Sequence, residues 1–154
     1  SEGGWYYQQV DLGFNYRMTE LQAALGISQM KRLDEFVEKR NELAQNYEEA
    51  LQNLPVKRQV VPGDTFSARH LYVIRTLQEQ HRKLFDNLQN MDIGVNLHYS
   101  PVHLQPFYRK LGFQEGNFPE AESYGKEAIS IPLYPALTDD KQNRVIATLN
   151  NFFK

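Results

Sequence analysis

Residues 11–26 read DLGFNYRMTELQAALG, and this stretch decides how the chain is organised. Thr19 and Gln22 fit the capping-box pattern immediately before an apolar run, which predicts that a helix begins there. Asn15 and Arg17 therefore lie just ahead of a helix N-terminus, where backbone N–H groups and the positive end of the helix dipole favour anions. An amide donor and a guanidinium at such a position could hold a phosphate or a carboxylate.

The composition indicates an ordinary globular domain. The chain has 154 residues, of which 41% are hydrophobic and 23% charged, so it is long enough to enclose a core. Its net charge of −2 gives no indication of nucleic-acid or membrane-surface binding. The sequence contains no cysteine, which excludes disulfides and thiolate chemistry. We expect a cytoplasmic protein with neither a nucleic-acid nor a membrane partner.

The hydrophobic pattern predicts alternating helices and strands. A long helix is predicted from about Thr19 to about Leu51, with Gly26 as one candidate for a break. Further helices are predicted at residues 80–90, 103–111 and 117–128, and Thr138 is predicted to cap a last helix. Strands are predicted at residues 70–76, 95–99 and 129–133. This order is typical of an α/β domain in which helices cover a small sheet.

Five blocks resemble one enzyme family in the order that the family has them. They are GxWYYxQxxLGFNYRMTELQAALG, RLDEFVEKRNELAQNYEEAL, HLYVIR, GVNLHYSPVHLQPFYRKLGF and FPEAESYGKEAISIPLYPALTDD. Together they resemble the C-terminal portion of the DegT/DnrJ/EryC1/StrS sugar-nucleotide aminotransferases. The GVNLHYSPVHLQPFYRKLG block is most similar to the transaminases of pseudaminic acid biosynthesis.

The resemblance implies a fold, a cofactor and a reaction. The fold would be that of the aspartate-aminotransferase-like enzymes, and the cofactor pyridoxal 5'-phosphate (PLP). The reaction would transfer an amino group from glutamate to a UDP-linked 4-keto-6-deoxy sugar. The lysine that carries the cofactor lies upstream of the FNYRMT block in this family, so we expect residues 1–154 to be inactive alone.

The resemblance also divides the chain. Residues 1–30 would be the end of the large PLP-binding domain, residues 31–51 the connecting long helix, and residues 52–154 the small C-terminal domain. Active sites of this family lie at a dimer interface, so a homodimer is implied.

Asn15 and Arg17 are the expected cofactor-binding residues. Asn15 matches the family asparagine that reaches across the dimer to the cofactor phosphate, although an asparagine in a turn can also stabilise its own backbone. Arg17 is either a phosphate or sugar-nucleotide contact or one half of a structural ion pair near the helix start.

The expected substrate contacts fall in two segments. Trp5 and Tyr6 lie in a Gly-flanked aromatic loop that could stack on a base or a sugar ring, or could simply pack the loop onto its domain. His98, Tyr99 and His103 lie in VNLHYSPVH, where they could contact the sugar nucleotide or satisfy local backbone groups. Two histidines five residues apart are a weak metal signal without further ligands, so no metal site is predicted.

A second hypothesis assigns no chemistry to the chain. In that case it would be a non-catalytic sugar-nucleotide-binding or interaction domain that keeps the small-domain fold. The intact FNYRMT block favours the enzyme, because a free-standing binding domain does not need a cofactor-phosphate asparagine.

Overall fold

The computed structural model describes residue 11, residues 13–14 and residues 16–154. Two compact units divide at residues 33 and 34. In the first unit, helix α1 (Glu20–Met30) begins at the predicted capping box: the Gln22 backbone N–H donates to Thr19 Oγ1, and the Gln22 side chain accepts from the Thr19 N–H. Its apolar side chains are exposed in this structure, among them Leu21 and Leu25.

The long helix predicted from Thr19 to Leu51 is two helices. Helix α1 ends at Met30, and α2 (Leu33–Ala50) begins after a turn at residues 31–32. Gly26, the candidate for the break, lies inside α1. A glycine in a helix costs only about 1 kcal/mol relative to alanine, so it need not interrupt the helix.

A small antiparallel sheet organises the second unit. Strands β1 (Lys57–Arg58), β2 (Tyr72–Arg75) and β3 (Ala128–Ile131) pair in the order β1-β2-β3. Helix α3 (Gln78–Asn90) follows β2. A single turn of 3₁₀-helix (Val102–Leu104), α4 (Pro106–Arg109) and α5 (Pro119–Glu127) precede β3, and α6 (Asp139–Phe152) ends the described fold.

The sheet has one apolar face and one polar face. Tyr72 and Ile74 of β2 stand opposite Ile131 and Ile129 of β3, and all four are buried with α2, α3 and α6 in one hydrophobic cluster. The intervening residues Val73, Arg75, Ala128 and Ser130 point to the other face, because successive side chains of a strand alternate. The elements near His98 and Tyr124 lie on this second face.

The α/β prediction is confirmed, and three element predictions are corrected. The strand predicted at residues 95–99 is only an isolated bridge between Asn96 and Ser130. The helix predicted at 103–111 is the 3₁₀ turn plus α4, because Pro106 lacks the N–H that a continuous helix needs. Strand β1 was not predicted, because two adjacent basic residues show no hydrophobic alternation. Thr138 caps α6 as expected, accepting from the Lys141 N–H.

One buried glutamine joins α6 to α2. Gln142 is 2% exposed, its Nε2 donates to the Leu43 carbonyl at 2.7 Å, and its Oε1 accepts from Asn46 Nδ2 at 3.0 Å. A buried amide with both ends paired fixes how two helices meet, since any shift would leave buried polar groups without partners.

Replacing Gln142 with leucine should therefore destabilise the fold. The change keeps the side-chain volume but leaves the Asn46 amide without its acceptor and removes the second hydrogen bond of the Leu43 carbonyl, which costs about 1–3 kcal/mol. Urea unfolding should show a lower midpoint with an unchanged slope. The control, Gln89→Leu at an exposed position of α3, should stay within about 0.5 kcal/mol of the parent. Equal stability of Gln142→Leu and the parent would contradict the assignment.

Candidate functional site

His98 lies on the polar face of the sheet and is held by β3. Its Nδ1 is 2.8 Å from Ser130 Oγ, and its Nε2 is 3.4 Å from Asn96 Nδ2. Ser130 is buried, and its backbone pairs with Asn96 through both the N–H and the carbonyl. The imidazole is thus fixed at one nitrogen by a rigid strand, while the ring remains half-exposed.

Tyr99 stands beside this imidazole and faces solvent. The two rings meet edge-on with centroids 4.8 Å apart, and Tyr99 is 71% exposed. An exposed phenol next to an oriented imidazole can donate hydrogen bonds to the hydroxyls of a polar ligand and cover its apolar edges. The structure therefore brings His98 and Tyr99 together, as a shared role in binding requires.

Tyr124 of α5 connects His98 to strand β2. Its hydroxyl donates to the His98 carbonyl at 3.2 Å, and the Arg75 guanidinium lies 5.8 Å from the centre of its ring. Arg75 also forms an ion pair with Glu127, with 2.8 Å between Nη2 and Oε2. A connected polar face thus extends from His98 to the far end of β2.

His103, the third residue expected to contact substrate in this segment, has a different environment. It is only 7% exposed, its Nε2 lies 2.8 Å from Glu122 Oε1, and its ring packs edge-on against Phe118 at 4.9 Å. This enclosure favours a structural role for His103 over a substrate contact. Its Nε2 already contacts Glu122, and its ring packs against Phe118.

Glu122 is the centre of this buried arrangement, and sequence reasoning missed it. Both carboxylate oxygens accept from the Gly116 N–H, at 2.9 and 3.0 Å, and Oε1 also accepts from the Phe118 N–H at 3.3 Å. The Gly116 N–H is the main reason that the pKa of Glu122 lies below its usual range, and the His103 contact acts in the same direction. Gly116 adopts φ +92°, a conformation that favours glycine.

Neither Glu122 nor Ser130 could be recognised beforehand as a key contact. Glu122 shares the first turn of α5 with Glu120, and both read as acidic residues that suit a helix N-terminus. Only the position of the 112–118 loop distinguishes the buried carboxylate from the exposed one. Ser130 could have been suspected from its place as a polar residue inside a buried strand.

The remaining predicted site residues belong to the N-terminal unit. Trp5, Tyr6 and Asn15 lie outside the described residues. Arg17 is described, exposed, and two residues ahead of the capping residue Thr19. It therefore has the position beside a helix N-terminus that the sequence predicted.

Comparison with known proteins identifies the family. The profile of the DegT/DnrJ/EryC1/StrS aminotransferase family matches residues 2–150. The chain belongs to this family. Its members are PLP-dependent sugar aminotransferases of mixed α/β fold, and one solved structural neighbour is a PLP form.

Individual relatives agree with this membership. The chain is 37% identical to the spore coat polysaccharide biosynthesis protein SpsC of Bacillus subtilis, over all of the chain and 41% of SpsC. It is 37% identical to UDP-4-amino-4,6-dideoxy-N-acetyl-beta-L-altrosamine transaminase of Campylobacter jejuni, over 84% of the chain and 35% of that protein. The chain spans about two fifths of the length of the curated relatives that it matches.

The fold of a solved aminotransferase is also similar. The PLP form of Spr1654 from Streptococcus pneumoniae, described as a sugar aminotransferase, superposes with a TM-score of 0.88 at 27% identity, over 96% of this chain and 39% of Spr1654. Separately, none of the described helices combines the length and the hydropathy that a membrane-spanning segment requires.

Replacing Glu122 with glutamine should lower stability in a pH-dependent way. The folded-state pKa of Glu122 is depressed, so its stabilising effect is present above the ordinary carboxyl pKa of about 4.3 and is lost as the pH falls through the lower folded value. The melting temperature of the parent should exceed that of Glu122→Gln between pH 5 and 7, and the gap should close on acidification below about pH 4.

The matched control for this experiment is Glu120→Gln, an exposed position in the same helical turn. It should show no comparable gap at any pH. A Glu122→Gln gap that stays constant down to pH 3 would contradict the role of the carboxylate charge.

Replacing Ser130 with alanine should release the His98 imidazole. Loss of the 2.8 Å contact should cost about 1 kcal/mol of stability. The ¹⁵N shifts of the His98 ring should move toward those of a mobile, solvated imidazole, as measured by NMR. The control is Ser100→Ala, an exposed serine two residues from His98. Unchanged His98 shifts in Ser130→Ala would show that Ser130 does not orient the ring.

Proposed function

We propose that the chain is the C-terminal part of a PLP-dependent aminotransferase that transfers an amino group from glutamate to a UDP-linked 4-keto-6-deoxy sugar. Such a reaction would serve the biosynthesis of a surface-polysaccharide or flagellar sugar. The observation that carries this proposal is the family match over residues 2–150. The C. jejuni relative, whose name specifies a UDP-linked amino sugar, supports the substrate class.

The proposal includes an arrangement of domains. Residues 1–30 would complete a large cofactor-binding domain, residues 31–51 would connect the domains, and residues 52–154 would form the small domain. The enzyme would be a cytoplasmic homodimer. The exposed apolar side chains of α1, including Leu21 and Leu25, support the view that this helix is covered by further protein in the complete enzyme.

Some described residues fit a place around the cofactor phosphate. Arg17 lies beside the N-terminus of α1, where first-turn N–H groups are free of helical partners and attract anions. Together with Asn15, which is outside the described residues, Arg17 would hold the phosphate. The bound cofactor would supply the electron sink that amino transfer requires.

The lysines of the chain do not fit the role of linking the cofactor. Seven of the eight are exposed, and Lys39 is half-buried in an ion pair with Glu42 at 3.0 Å. A cofactor-linking lysine needs an enclosed site that lowers its pKa or excludes water. We therefore propose that the linking lysine lies outside this chain and that residues 1–154 alone do not transaminate.

The small domain would contribute the substrate contacts. His98 has one nitrogen fixed by Ser130 and a half-exposed ring, and Tyr99 presents its phenol to solvent beside it. Both side chains can hydrogen-bond sugar hydroxyls without moving, which reduces the entropy lost on binding. Trp5, Tyr6 and His103 remain predicted contacts, with His103 requiring the opening of its pair with Glu122.

The test is an amino-transfer assay on the protein encoded by the complete reading frame. With glutamate and a UDP-4-keto-6-deoxy sugar, it should form 2-oxoglutarate and the amino sugar. Tyr99→Phe should raise the KM for the sugar nucleotide about two- to tenfold with little change in kcat, as expected for the loss of one hydrogen bond made equally in ground and transition states.

The matched control is Tyr134→Phe, a second partly exposed tyrosine outside the VNLHYSPVH segment, and its KM should not change. Binding of the sugar nucleotide without any amino transfer would favour the alternative of a non-catalytic binding domain. Absence of both binding and transfer would contradict the proposed substrate class.

A further inference from the structure

A pocket of about 660 Å³ opens on the polar face of the sheet, next to the His98 region. Its size lies in the usual range for small-molecule sites. Its lining residues come from β1, β2, α5 and the loop before β2, and they include Lys57, Arg58, Arg69, Arg75 and Tyr124. The lining includes four permanent cations and no carboxylate, a composition that attracts anions.

Two of these cations are already neutralised. Arg58 Nη1 lies 3.0 Å from Glu48 Oε2, and Arg75 binds Glu127. Ser123 Oγ donates to Glu127 at 2.7 Å, which is the main reason that the pKa of Glu127 is lowered, with Arg75 as a further cause. Both arginines therefore have a carboxylate partner before any ligand binds.

The other two cations, Arg69 and Lys57, are not matched in this way. Arg69 Nε and Nη1 are both inaccessible to solvent, and neither has a hydrogen-bond partner among the described residues. Arg69 Nη1 forms only a long ion pair with Glu48 Oε1, at 4.0 Å, and that oxygen likewise has no hydrogen-bond partner among the described residues. Lys57 is exposed and has no carboxylate within ion-pair distance among the described residues. Unpaired buried donors are costly, so a native structure that keeps them calls for an explanation.

The backbone at Arg69 adopts an energetically unfavourable conformation. Arg69 has φ +50°, a conformation that non-glycine residues rarely adopt, and its N–H is held by Ser67 Oγ at 3.1 Å. Strained residues of this kind tend to cluster at functional sites, where the strain orients a side chain. The turn before β2 therefore places the Arg69 guanidinium in the lining of the pocket, with its Nε and Nη1 enclosed by the protein.

We propose that this pocket is an oxyanion-binding site in which Arg69 and Lys57 hold a phosphate or carboxylate group. A planar guanidinium suits the paired oxygens of a phosphate or a carboxylate, and a lysine ammonium beside it adds a second positive charge. The proposal depends on the proposed function only for the molecule that carries the oxyanion. Within that function, the group is the diphosphate of the sugar nucleotide or a carboxylate of the amino donor.

The neighbourhood of the pocket supports the diphosphate. Tyr124 lines the pocket and also hydrogen-bonds the His98 carbonyl at 3.2 Å. A sugar nucleotide carries its diphosphate directly on the sugar. A sugar contacted by His98 and Tyr99 would therefore have its phosphates at the edge of this pocket.

The test measures anion binding separately from amino transfer, on the protein encoded by the complete reading frame. Inorganic pyrophosphate and UDP should raise the melting temperature and give a calorimetric binding signal that weakens with salt. Arg69→Met should weaken pyrophosphate binding about tenfold or more, and Lys57→Gln by about threefold. The control Arg82→Met, on the exposed face of α3, should leave affinity unchanged.

A second readout separates a binding role from a structural one. If Arg69 is kept for a ligand, Arg69→Met removes buried donors without partners, and the ligand-free variant should melt at the same temperature as the parent or higher. A lower melting temperature with unchanged pyrophosphate affinity would overturn the proposal, as would the absence of any anion binding by the parent.

The ligands distinguish the two sources of the oxyanion. Pyrophosphate and UDP binding without competition from glutarate would assign the site to the nucleotide diphosphate, and competition by glutarate alone would assign it to the amino donor. Amino transfer with normal sugar-nucleotide affinity in Arg69→Met would reject this site while the proposed function stands. Anion binding without amino transfer would support this site and contradict the proposed function.

Discussion

The antiparallel register between β2 and β3 places the side chains of these strands on two faces of the sheet, and the rest of the second unit depends on this arrangement. Tyr72 pairs with Ile131 and Ile74 with Ile129, which places four apolar side chains against α2, α3 and α6. The residues between them point the other way. A slip of one residue would exchange the two sets and bury Arg75 in the core, so the hydrophobic face fixes the register strongly.

This constraint explains how a small sheet could position the side chains that we propose bind a ligand. The buried face gives β3 the rigidity with which Ser130 holds His98, while β2 presents Arg75 and the turn before it presents Arg69. Alternate residues of the same strands therefore have different roles. One set packs in the core and stabilises the sheet, and the other set lies on the polar face. Substitutions on the polar face can change binding while leaving the core intact, which is why paired stability and affinity measurements separate the two roles.

The sequence predicted the elements whose signals are local. Thr19 and Thr138 were recognised as helix caps because capping depends on residues only three positions apart. Gly26 was one candidate for the helix break, which lies at residues 31–32 instead. The two-residue strand β1 was not predicted, and the strand predicted at residues 95–99 is only a bridge at Asn96, since both depend on pairing with distant residues rather than on periodicity. For the same reason His98 could be proposed from its motif, whereas its partner Ser130 and the buried pair of His103 with Glu122 required coordinates.

We expect the polar face of this sheet, rather than its hydrophobic face, to receive the substrate. The most direct measurement is a crystal structure of the protein encoded by the complete reading frame, with PLP and a UDP-linked sugar bound. The sugar should lie within hydrogen-bond distance of His98 or Tyr99, on the side of β3 that carries Ser130. A sugar nucleotide bound elsewhere, with these side chains in contact only with solvent, would contradict it.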